Sequence, residues 1–372
     1  MAGVYAKSSG NAVGTCTDIS GATYTNPVAY DVKKNLKLKI APTCVVTNPP
    51  SSGTYASDAN AVRVALAVSR RLSFSGLFMS SAPTIRATAL ATIVPSGKYC
   101  VVSLEDQAVT GINATGSTDV DLGCGMITNS TSMTAAVATG SSEVTASPIA
   151  AVGGIPASTH WGTGTVLQPF TLAQEDPFKD VPAPTPSSCG GFPNNSPGDT
   201  LSLTNPTGTR CFSGNVNIKG DITLAPGIYV IDGGDLSMNN TGSHLTCNGC
   251  TFIFTTSTTD ASKIGKPDIN GGEIDLTSPS TGTYKGIIFY QDRRATANNS
   301  VKINGNNQSY LEGAFYFPRA ELTFQGTAGM NSNCLQLVSK RVVFTGNSAI
   351  TNTCPTGSGE SSFEGKKIRL VE

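Results

Sequence analysis

The chain has 372 residues, more than one compact core usually holds, so we expect either two domains or one elongated repetitive domain. Its 25 basic and 25 acidic residues balance, which excludes a strong cationic field and with it nucleic acid or an acidic membrane surface as a partner. Only 13% of the residues are charged while Thr, Ser, Asn and Val are plentiful, and this composition predicts a mainly β protein.

Residues 1–95 are predicted to form a small α+β domain. Apolar strands are expected at 61–68 and 84–94. In the second of these, small and apolar residues alternate with Arg86, Thr88 and Thr92, which is typical of a strand with one buried face. Short helical segments are expected at 31–36 and 74–79, packed on the strands.

Residues 96–372 follow a different pattern, in which short apolar strands recur between Gly, Asn, Asp and Ser. The connections between strands such as 216–218 and 221–224 are too short for a crossover helix and lack Asn-Gly hairpin turns. Bends between strands explain this spacing better, because each coil of a solenoid contains two or three short strands joined at corners. The pattern therefore predicts a right-handed parallel β-helix, with a β-sandwich as the alternative.

A proline-rich excursion interrupts this pattern at about 162–210. Proline has no N–H to donate to a strand ladder, so the segment is expected to be a loop or linker between an early set of coils and the main solenoid.

Ten cysteines, an even number, fall into pairs of sequence neighbours. Such spacing favours local disulfides, although it does not prove connectivity, and disulfides persist in the periplasm or outside the cell. Bridges of this kind would stabilise a polar chain that has few large apolar residues. The proposed pairs are Cys16–Cys44, Cys100–Cys124, Cys189–Cys211, Cys247–Cys250 and Cys334–Cys354.

The Cys-x-x-Cys motif at 247–250 has three interpretations, namely a structural disulfide, a redox pair and part of a metal site. A zinc site would need four ligands, and His244 is the one imidazole nearby. A thioredoxin-type motif would lie at the start of a helix, whereas this motif precedes the strand pattern of 251–254. The structural disulfide is the favoured interpretation.

Six carboxylates are candidate catalytic groups, because parallel β-helices include polysaccharide lyases and hydrolases. Glycoside hydrolysis needs two carboxylates a few ångströms apart. Each candidate carboxylate also has a structural explanation, namely a turn signal, a strand face turned to solvent, or a surface ion pair with Arg293 and Arg294. We therefore expect no catalytic residues and predict that the protein is not an enzyme. The candidates are Asp232, Asp235, Asp268, Glu273, Asp275 and Asp292.

Other catalytic and metal motifs are missing from the sequence. His160 and His244 are its two imidazoles, and neither lies near a nucleophile, metalloprotease, P-loop or dinucleotide motif. His160 and Trp161 are adjacent, which favours a packed corner over a binding contact. No regular Gly-Asp repeat indicates calcium-binding corners, so we expect neither a cofactor nor a metal.

Three segments at 98–105, 111–116 and 123–130 carry a strand with Cys-Val, a Gly-bounded strand and a Gly-Cys segment that ends in Asn-Ser. In this order they resemble the TadG-like proteins of bacterial tight-adherence (Flp-type) pilus systems. Further segments at 74–78, 85–89, 224–231 and 311–318 are also similar to that family. The likeness spans most of residues 60–350.

The resemblance implies an envelope protein with one N-terminal transmembrane helix and an exported body. It would contribute to pilus assembly or adherence, with other pilus or envelope proteins and surface glycans as partners. The anchor helix is expected to precede Met1 in the full-length protein, and the metal-dependent adhesion motif of some members is missing.

The predicted function is therefore that of a non-catalytic envelope or surface protein, periplasmic or extracellular. The alternatives are a carbohydrate-active β-helix enzyme and a phage-type fibre protein.

Overall fold

The computed structural model describes residues 15–16, 43–69, 78–79, 81, 83–296, 300–305, 309–327, 331–347, 349–352 and 362–371. The described residues contain 27 strands, one 3-10 helix at Ala261–Lys263 and no α-helix, so the prediction of a mainly β protein is confirmed. The chain divides into two compact units, one of residues 1–95 with 366–372 and one of residues 96–365.

The first unit contains an antiparallel sheet. Its strands are β1 (Thr15–Cys16), β2 (Thr43–Thr47), β3 (Val62–Ser69) and the first part of β4 (Thr84–Ser103), paired in chain order. The strands predicted at 61–68 and 84–94 are present as β3 and β4. The helix predicted at 31–36 lies outside the described residues, as does most of the one at 74–79, where Phe78 and Met79 form no helix.

The second unit contains the remaining strands. The first of these are β5 (Ile112–Ala114), β6 (Asp119–Asp121), β7 (Gly125–Thr128), β8 (Ala136–Ala138), β9 (Glu143–Thr145), β10 (Ile149–Ala151), β11 (Leu167–Gln168), β12 (Thr200–Leu203), β13 (Thr209–Ser213), β14 (Val216–Ile218), β15 (Asp221–Leu224) and β16 (Gly227–Asp232). There follow β17 (Leu236–Met238), β18 (His244–Asn248), β19 (Cys250–Thr255), β20 (Pro267–Ile269), β21 (Glu273–Thr277), β22 (Ile287–Gln291), β23 (Ser300–Gly305), β24 (Tyr310–Thr327), β25 (Asn331–Asn347), β26 (Ala349–Asn352) and the beginning of β27 (Phe363–Leu370), whose residues from 366 onward belong to the first unit.

Most of these strands pair in parallel with the strand three positions along the chain. Thus β12 pairs with β15, β13 with β16 and β14 with β17, and the same step continues through β20. The result is three stacks of parallel strands, which we call stack 1 (with β12, β15, β18 and β21), stack 2 (with β13, β16, β19 and β22) and stack 3 (with β14, β17, β20 and β23). The long strands β24 and β25 pass through all three.

This pairing pattern is consistent with a β-helix or a similar solenoid. A β-sandwich, the alternative, is built from antiparallel neighbours. Among the pairings described, antiparallel ones occur only between β1, β2, β3 and β4.

The order of strands in space differs from their order in the chain. Along stack 2 the order is β13, β16, β19, β22, β24, β25, β4, β7, β10 and β11. The coil of β25, late in the chain, therefore lies beside the coil of β4 and β5, which is the first of the unit. The early coils continue the stack beyond β25 instead of preceding β12.

Burial separates stack 2 from the other two. Strands of stacks 1 and 3 alternate between buried and exposed residues, as in β6 and β14, because one face packs on the core and the other meets solvent. In stack 2 every residue of β10, β19 and β22 is buried. Both faces of this stack are therefore covered, which explains its continuous apolar runs.

The inner face of stack 2 carries a ladder of aromatic rings. Tyr229, Phe252, Phe289 and Phe315 occupy matching positions in successive strands, with ring centroids 5.7, 5.7 and 5.0 Å apart. Each ring pair contributes roughly 0.5–1.5 kcal/mol beyond the burial of its area. The ladder aligns the coils by side-chain packing.

The outer face of stack 2 is covered by residues 170–186, which we call the strap. This segment lies within the proline-rich excursion; it contains no strand and runs across the strands of the stack. Thr171 donates to the carbonyl of Ala151 in β10, and Tyr284, just before β22, donates to the carbonyl of Pro182. Between these points the strap crosses six neighbouring strands, or ~24 Å at the usual spacing.

Candidate functional site

Two of the predicted carboxylates join neighbouring coils. Asp232 accepts hydrogen bonds from the backbone N–H and the hydroxyl of Ser257, at 2.7 and 2.8 Å. Asp235 accepts one from the backbone N–H of Lys266 at 2.8 Å. Both side chains satisfy backbone donors at the corners of the next coil, which is a structural use of a carboxylate.

Asp292 forms the predicted ion pair with Arg294, but its carboxylate is buried and does not lie at the surface. Its side chain is only 5% exposed, and it accepts hydrogen bonds from Arg294 Nη2 at 2.8 Å and Thr255 Oγ1 at 2.7 Å. Burial alone would raise the pKa of Asp292, but the hydrogen bonds from Arg294 and Thr255 outweigh it and hold the pKa below its ordinary value. The neighbouring Arg293 points to a different carboxylate, described below.

The remaining candidates lie on outward-facing positions. Asp268, in stack 3, accepts a hydrogen bond from the Asn270 side chain at 2.8 Å. Glu273 and Asp275 lie two residues apart in β21 of stack 1, so they share a face. They are therefore the one pair among these candidates placed side by side on an accessible strand.

His244 lies beside Glu273 on the same face of stack 1. Strand register aligns Asp221, His244 and Glu273 across β15, β18 and β21. The imidazole Nδ1 is 3.6 Å from Asp221 Oδ1, and Nε2 is 3.7 Å from Glu273 Oε2. Among the described residues no group of three His, Cys, Asp or Glu side chains is arranged to hold a metal ion. The arrangement forms a polar strip that can exchange hydrogen bonds and charge with a ligand or partner.

His160 and Trp161 make local contacts at a corner. His160 Nδ1 lies 3.0 Å from the carbonyl oxygen of Ser142, and Trp161 Nε1 donates to the carbonyl of Pro156 at 3.0 Å. The indole also packs against the main core. These contacts describe a packed corner.

In the second unit three disulfides have both of their cysteines among the described residues, Cys100–Cys124, Cys189–Cys211 and Cys247–Cys250, and these are pairs that sequence proximity predicted. Cys247 and Cys250 are buried, so the Cys-x-x-Cys motif forms a covered bridge between β18 and β19. Cys334 is also disulfide-bonded, while Cys354 lies outside the described residues. In the first unit, Cys16 and Cys44 are opposite each other in the register of β1 and β2.

A cluster that the sequence analysis missed joins the strap to stack 2. Tyr316 donates a hydrogen bond to Asp176 Oδ2 at 2.6 Å, and Arg293 Nε lies 3.6 Å from the same oxygen. Arg293 also donates to the carbonyls of Val181, at 2.8 Å, and Phe178. Its guanidinium lies 5.2 Å from the centroid of the Tyr316 ring. We call Asp176, Arg293 and Tyr316 the latch.

Burial makes the latch and its surroundings electrostatically unusual. Burial raises the pKa of Tyr316 well above its ordinary value, and the hydrogen bond to Asp176 raises it further. Burial likewise raises the pKa of Tyr290 to about 12, although the nearby Arg293 opposes the shift. Tyr290 donates to the carbonyl of Val181 at 2.7 Å. Both phenols are therefore held neutral as hydrogen-bond donors to the strap.

A cavity of about 730 Å³ opens at a corner of the second unit. Three cysteines that form disulfides contribute to its wall, together with Lys98 and Glu364, whose charges are opposite. Its size suits a small ligand. The residues that line it include none of the carboxylates or imidazoles predicted from sequence.

No helix in the described part of the chain is both long and apolar enough to cross a membrane. The disulfides are compatible with a periplasmic or extracellular location. A scan against protein-family models, a search of curated proteins and a search of solved structures each found no match to this chain.

Proposed function

We propose that the second unit is a right-handed parallel β-helix and that the protein is a non-catalytic component of the bacterial cell envelope. It would contribute to the assembly of a tight-adherence pilus or to adherence, as its resemblance to TadG-like proteins implies. Its partners are then other envelope or pilus proteins and surface glycans, and an N-terminal helix anchors the full-length protein.

One observation carries this proposal: three of the six carboxylates considered as catalytic candidates hold coils together. Asp232, Asp235 and Asp292 each bind donors on another coil. A glycosidase instead keeps its two carboxylates free to face substrate. Because these carboxylates are occupied in holding the coils together, they support a structural, non-catalytic role for the second unit.

Glu273 and Asp275 provide the sharpest test, because they are the accessible pair that a carbohydrate-active enzyme would use. The gene is deleted in its own bacterium, and surface adherence and pilus number are measured. Restoration is then attempted with the wild-type gene and with the double variant Glu273→Gln/Asp275→Asn. We expect both genes to restore adherence and pili to the same level.

Two results would contradict the proposal. Normal pili and adherence in the deletion strain would remove the pilus function. Restoration by the wild type but not by the double variant, together with cleavage of a polysaccharide by the wild type alone, would favour the enzyme. A matched variant, Asp268→Asn, changes a half-buried carboxylate on the outward face of stack 3 and should behave as wild type in every assay.

A further inference from the structure

Charge is divided unequally between the two units. The first unit, residues 1–95 and 366–372, contains 12 basic and 4 acidic residues, a net charge of +8. The second unit contains 13 basic and 21 acidic residues, a net charge of −8. The balance of the whole chain, from which no acidic membrane partner is expected, therefore averages two units of opposite sign. The first unit has the cationic field that the chain as a whole lacks.

The described part of the first unit has little acidic charge to neutralise its cations. These cations are Arg63, Arg86, Lys366, Lys367 and Arg369. The one carboxylate among the described residues of this unit is that of Asp58. It already accepts hydrogen bonds from the Asn60 N–H at 2.8 Å and the Thr92 hydroxyl at 2.7 Å. Arg86 is exposed, so its charge faces solvent.

The hairpin of β3 and β4 ends in a segment that solvent reaches from both sides. Residues 70–83 connect the two strands, and the register places Ala67 of β3 opposite Arg86 of β4. Every residue from Thr84 to Thr88 is exposed, whereas residues 90–92 further along β4 are buried. Because consecutive residues of a strand point to opposite faces, both faces of the hairpin are open at this end.

Large apolar side chains are exposed at the same end of the hairpin. Ile85 is 75% exposed, and Phe78 and Met79, in the connection, are 77% and 47% exposed. Ile85 and Ala87 lie on the face of β4 whose alternation predicts burial, and both are exposed. Exposed apolar side chains beside cations are typical of a surface that binds a membrane interface. We call Phe78, Met79, Ile85 and Arg86 the hairpin end.

We propose that the hairpin end docks on the surface of an anionic phospholipid bilayer. Arg86 and the positive field of the first unit attract the headgroups, while Phe78, Met79 and Ile85 enter the boundary between headgroups and acyl chains. A partner that offers charge alone would not use these apolar side chains. The aliphatic side chains of Met79 and Ile85 also offer nucleic acid no stacking surface. The proposal goes beyond the pilus function and does not depend on it.

The test is cosedimentation of the 372-residue chain with phospholipid vesicles. Vesicles of phosphatidylcholine with about a third phosphatidylglycerol present an anionic surface, and vesicles of phosphatidylcholine alone do not. We expect at least about tenfold stronger binding to the anionic vesicles, and this binding should weaken as salt is added. Arg86→Gln should weaken it about fivefold, because one cation is lost from the surface. Ile85→Ser should weaken it at least about fivefold, because less apolar area leaves water.

Matched controls come from the second unit. Met133→Ser changes an apolar side chain that is 70% exposed, and Lys219→Gln changes an exposed cation. Both should bind the anionic vesicles as the wild type does. Because Ile85 and Arg86 are exposed, their variants should keep the urea unfolding midpoint of the wild type, which separates binding from folding.

Several results would overturn the proposal. These are a chain that binds neither kind of vesicle, equal binding to both kinds, and equal losses in the control variants and in the variants of the hairpin end. Without vesicle binding, self-association at low salt that Arg86→Gln abolishes would instead assign the hairpin end to the acidic second unit of another copy. Without vesicle binding, duplex DNA binding that Arg86→Gln weakens would assign it to nucleic acid.

Discussion

The Tyr316 hydroxyl donates to the carboxylate of Asp176 across 140 positions of sequence, at 2.6 Å. This bond joins the strap to the outer face of β24, and Arg293 lies against both partners. Because the strap also contacts β10 and the start of β22, it connects the early coils of the second unit to the later ones. The latch therefore stabilises the order in which the coils stack.

Removal of the latch should destabilise the second unit. Asp176→Ala leaves the buried Tyr316 hydroxyl and Arg293 without their carboxylate, so we expect a loss of about 1–3 kcal/mol in the free energy of unfolding. Tyr316→Phe should cost about 1 kcal/mol. The two changes in one chain should cost less than their sum, because they remove the same bond. Urea unfolding measures all three.

Asp180→Ala is the control for the latch, because Asp180 is an exposed carboxylate of the same strap. Its effect should stay within about 0.5 kcal/mol. If Asp176→Ala and Asp180→Ala lower the free energy of unfolding equally, the latch stabilises the second unit no more than an exposed surface charge does.

The disulfides should differ in how much they stabilise the chain. Cys189–Cys211 closes a loop with a sequence separation of 22, whereas Cys247–Cys250 has a separation of 3. On the chain-entropy model the first should contribute about 3 kcal/mol and the second about 1.5 kcal/mol. Paired Cys→Ala variants, unfolded in urea without reductant, measure this. A larger loss in the free energy of unfolding on removal of Cys247–Cys250 than on removal of Cys189–Cys211 would contradict this prediction. It would show that packing around a bridge determines its effect more than the length of the loop it closes.

Stability should fall at alkaline pH because buried tyrosines are held neutral. Burial raises the pKa of Tyr290 to about 12 and raises that of Tyr316 as well, while an unfolded tyrosine titrates near about 10. The pKa of each tyrosine is higher in the folded protein than in the unfolded chain. Its contribution to the free energy of unfolding is therefore fully present below about pH 10 and is lost as the pH rises toward the folded pKa. The loss is at most about 1.4 kcal/mol per pH unit for each tyrosine.

Urea unfolding at several pH values between about 8 and 11.5 tests the tyrosine prediction, with phenolate absorbance as a second readout. Tyr290→Phe should be less stable at neutral pH, since it loses the bond to Val181, but its stability should fall less steeply above pH ~10. Identical slopes in the wild type and the variant would contradict the assignment.

Gly153 should tolerate no side chain. A Cβ at this position would lie 2.0 Å from the carbonyl oxygen of Ser132, so the two coils would have to separate. We expect Gly153→Ala to cost at least about 2 kcal/mol or to prevent folding. In the control, Gly191→Ala, a Cβ meets no atom within 4 Å, and stability should stay within about 0.5 kcal/mol of the wild type. Thermal unfolding of both variants distinguishes the outcomes.

Several features of the second unit could be predicted from sequence because they depend on local pattern. Short strands bounded by Gly and Asn appear at the expected positions, for example in β14, β15 and β19. Continuous apolar runs such as that of β22 indicate burial on both faces. The apolar segments at 314–317 and 321–324 are separated by Pro-Arg-Ala in the sequence, yet both are parts of the single long strand β24, which is irregular between Phe317 and Glu321.

The polar groups were harder to interpret. Asp292 follows a strand and precedes two arginines, which is typical of a surface ion pair, yet its carboxylate is buried against Thr255 from another coil. The latch was missed for the same reason, because Asp176 and Tyr316 have no local signal that relates them. Partners this distant in sequence can be recognised only when the stacking of coils is known.

The sequence by itself determined the mainly β character of the protein, the positions of many strands and, through the spacing of neighbouring cysteines, three of its bridges. These features depend on contacts within a coil or between consecutive coils. Only the tertiary structure decided which coils are neighbours, and it places the coil of β25 beside that of β4. Short strands are nearly interchangeable as hydrogen-bonding partners, so the stacking order depends on side-chain packing and on the path of the strap, which no local pattern encodes.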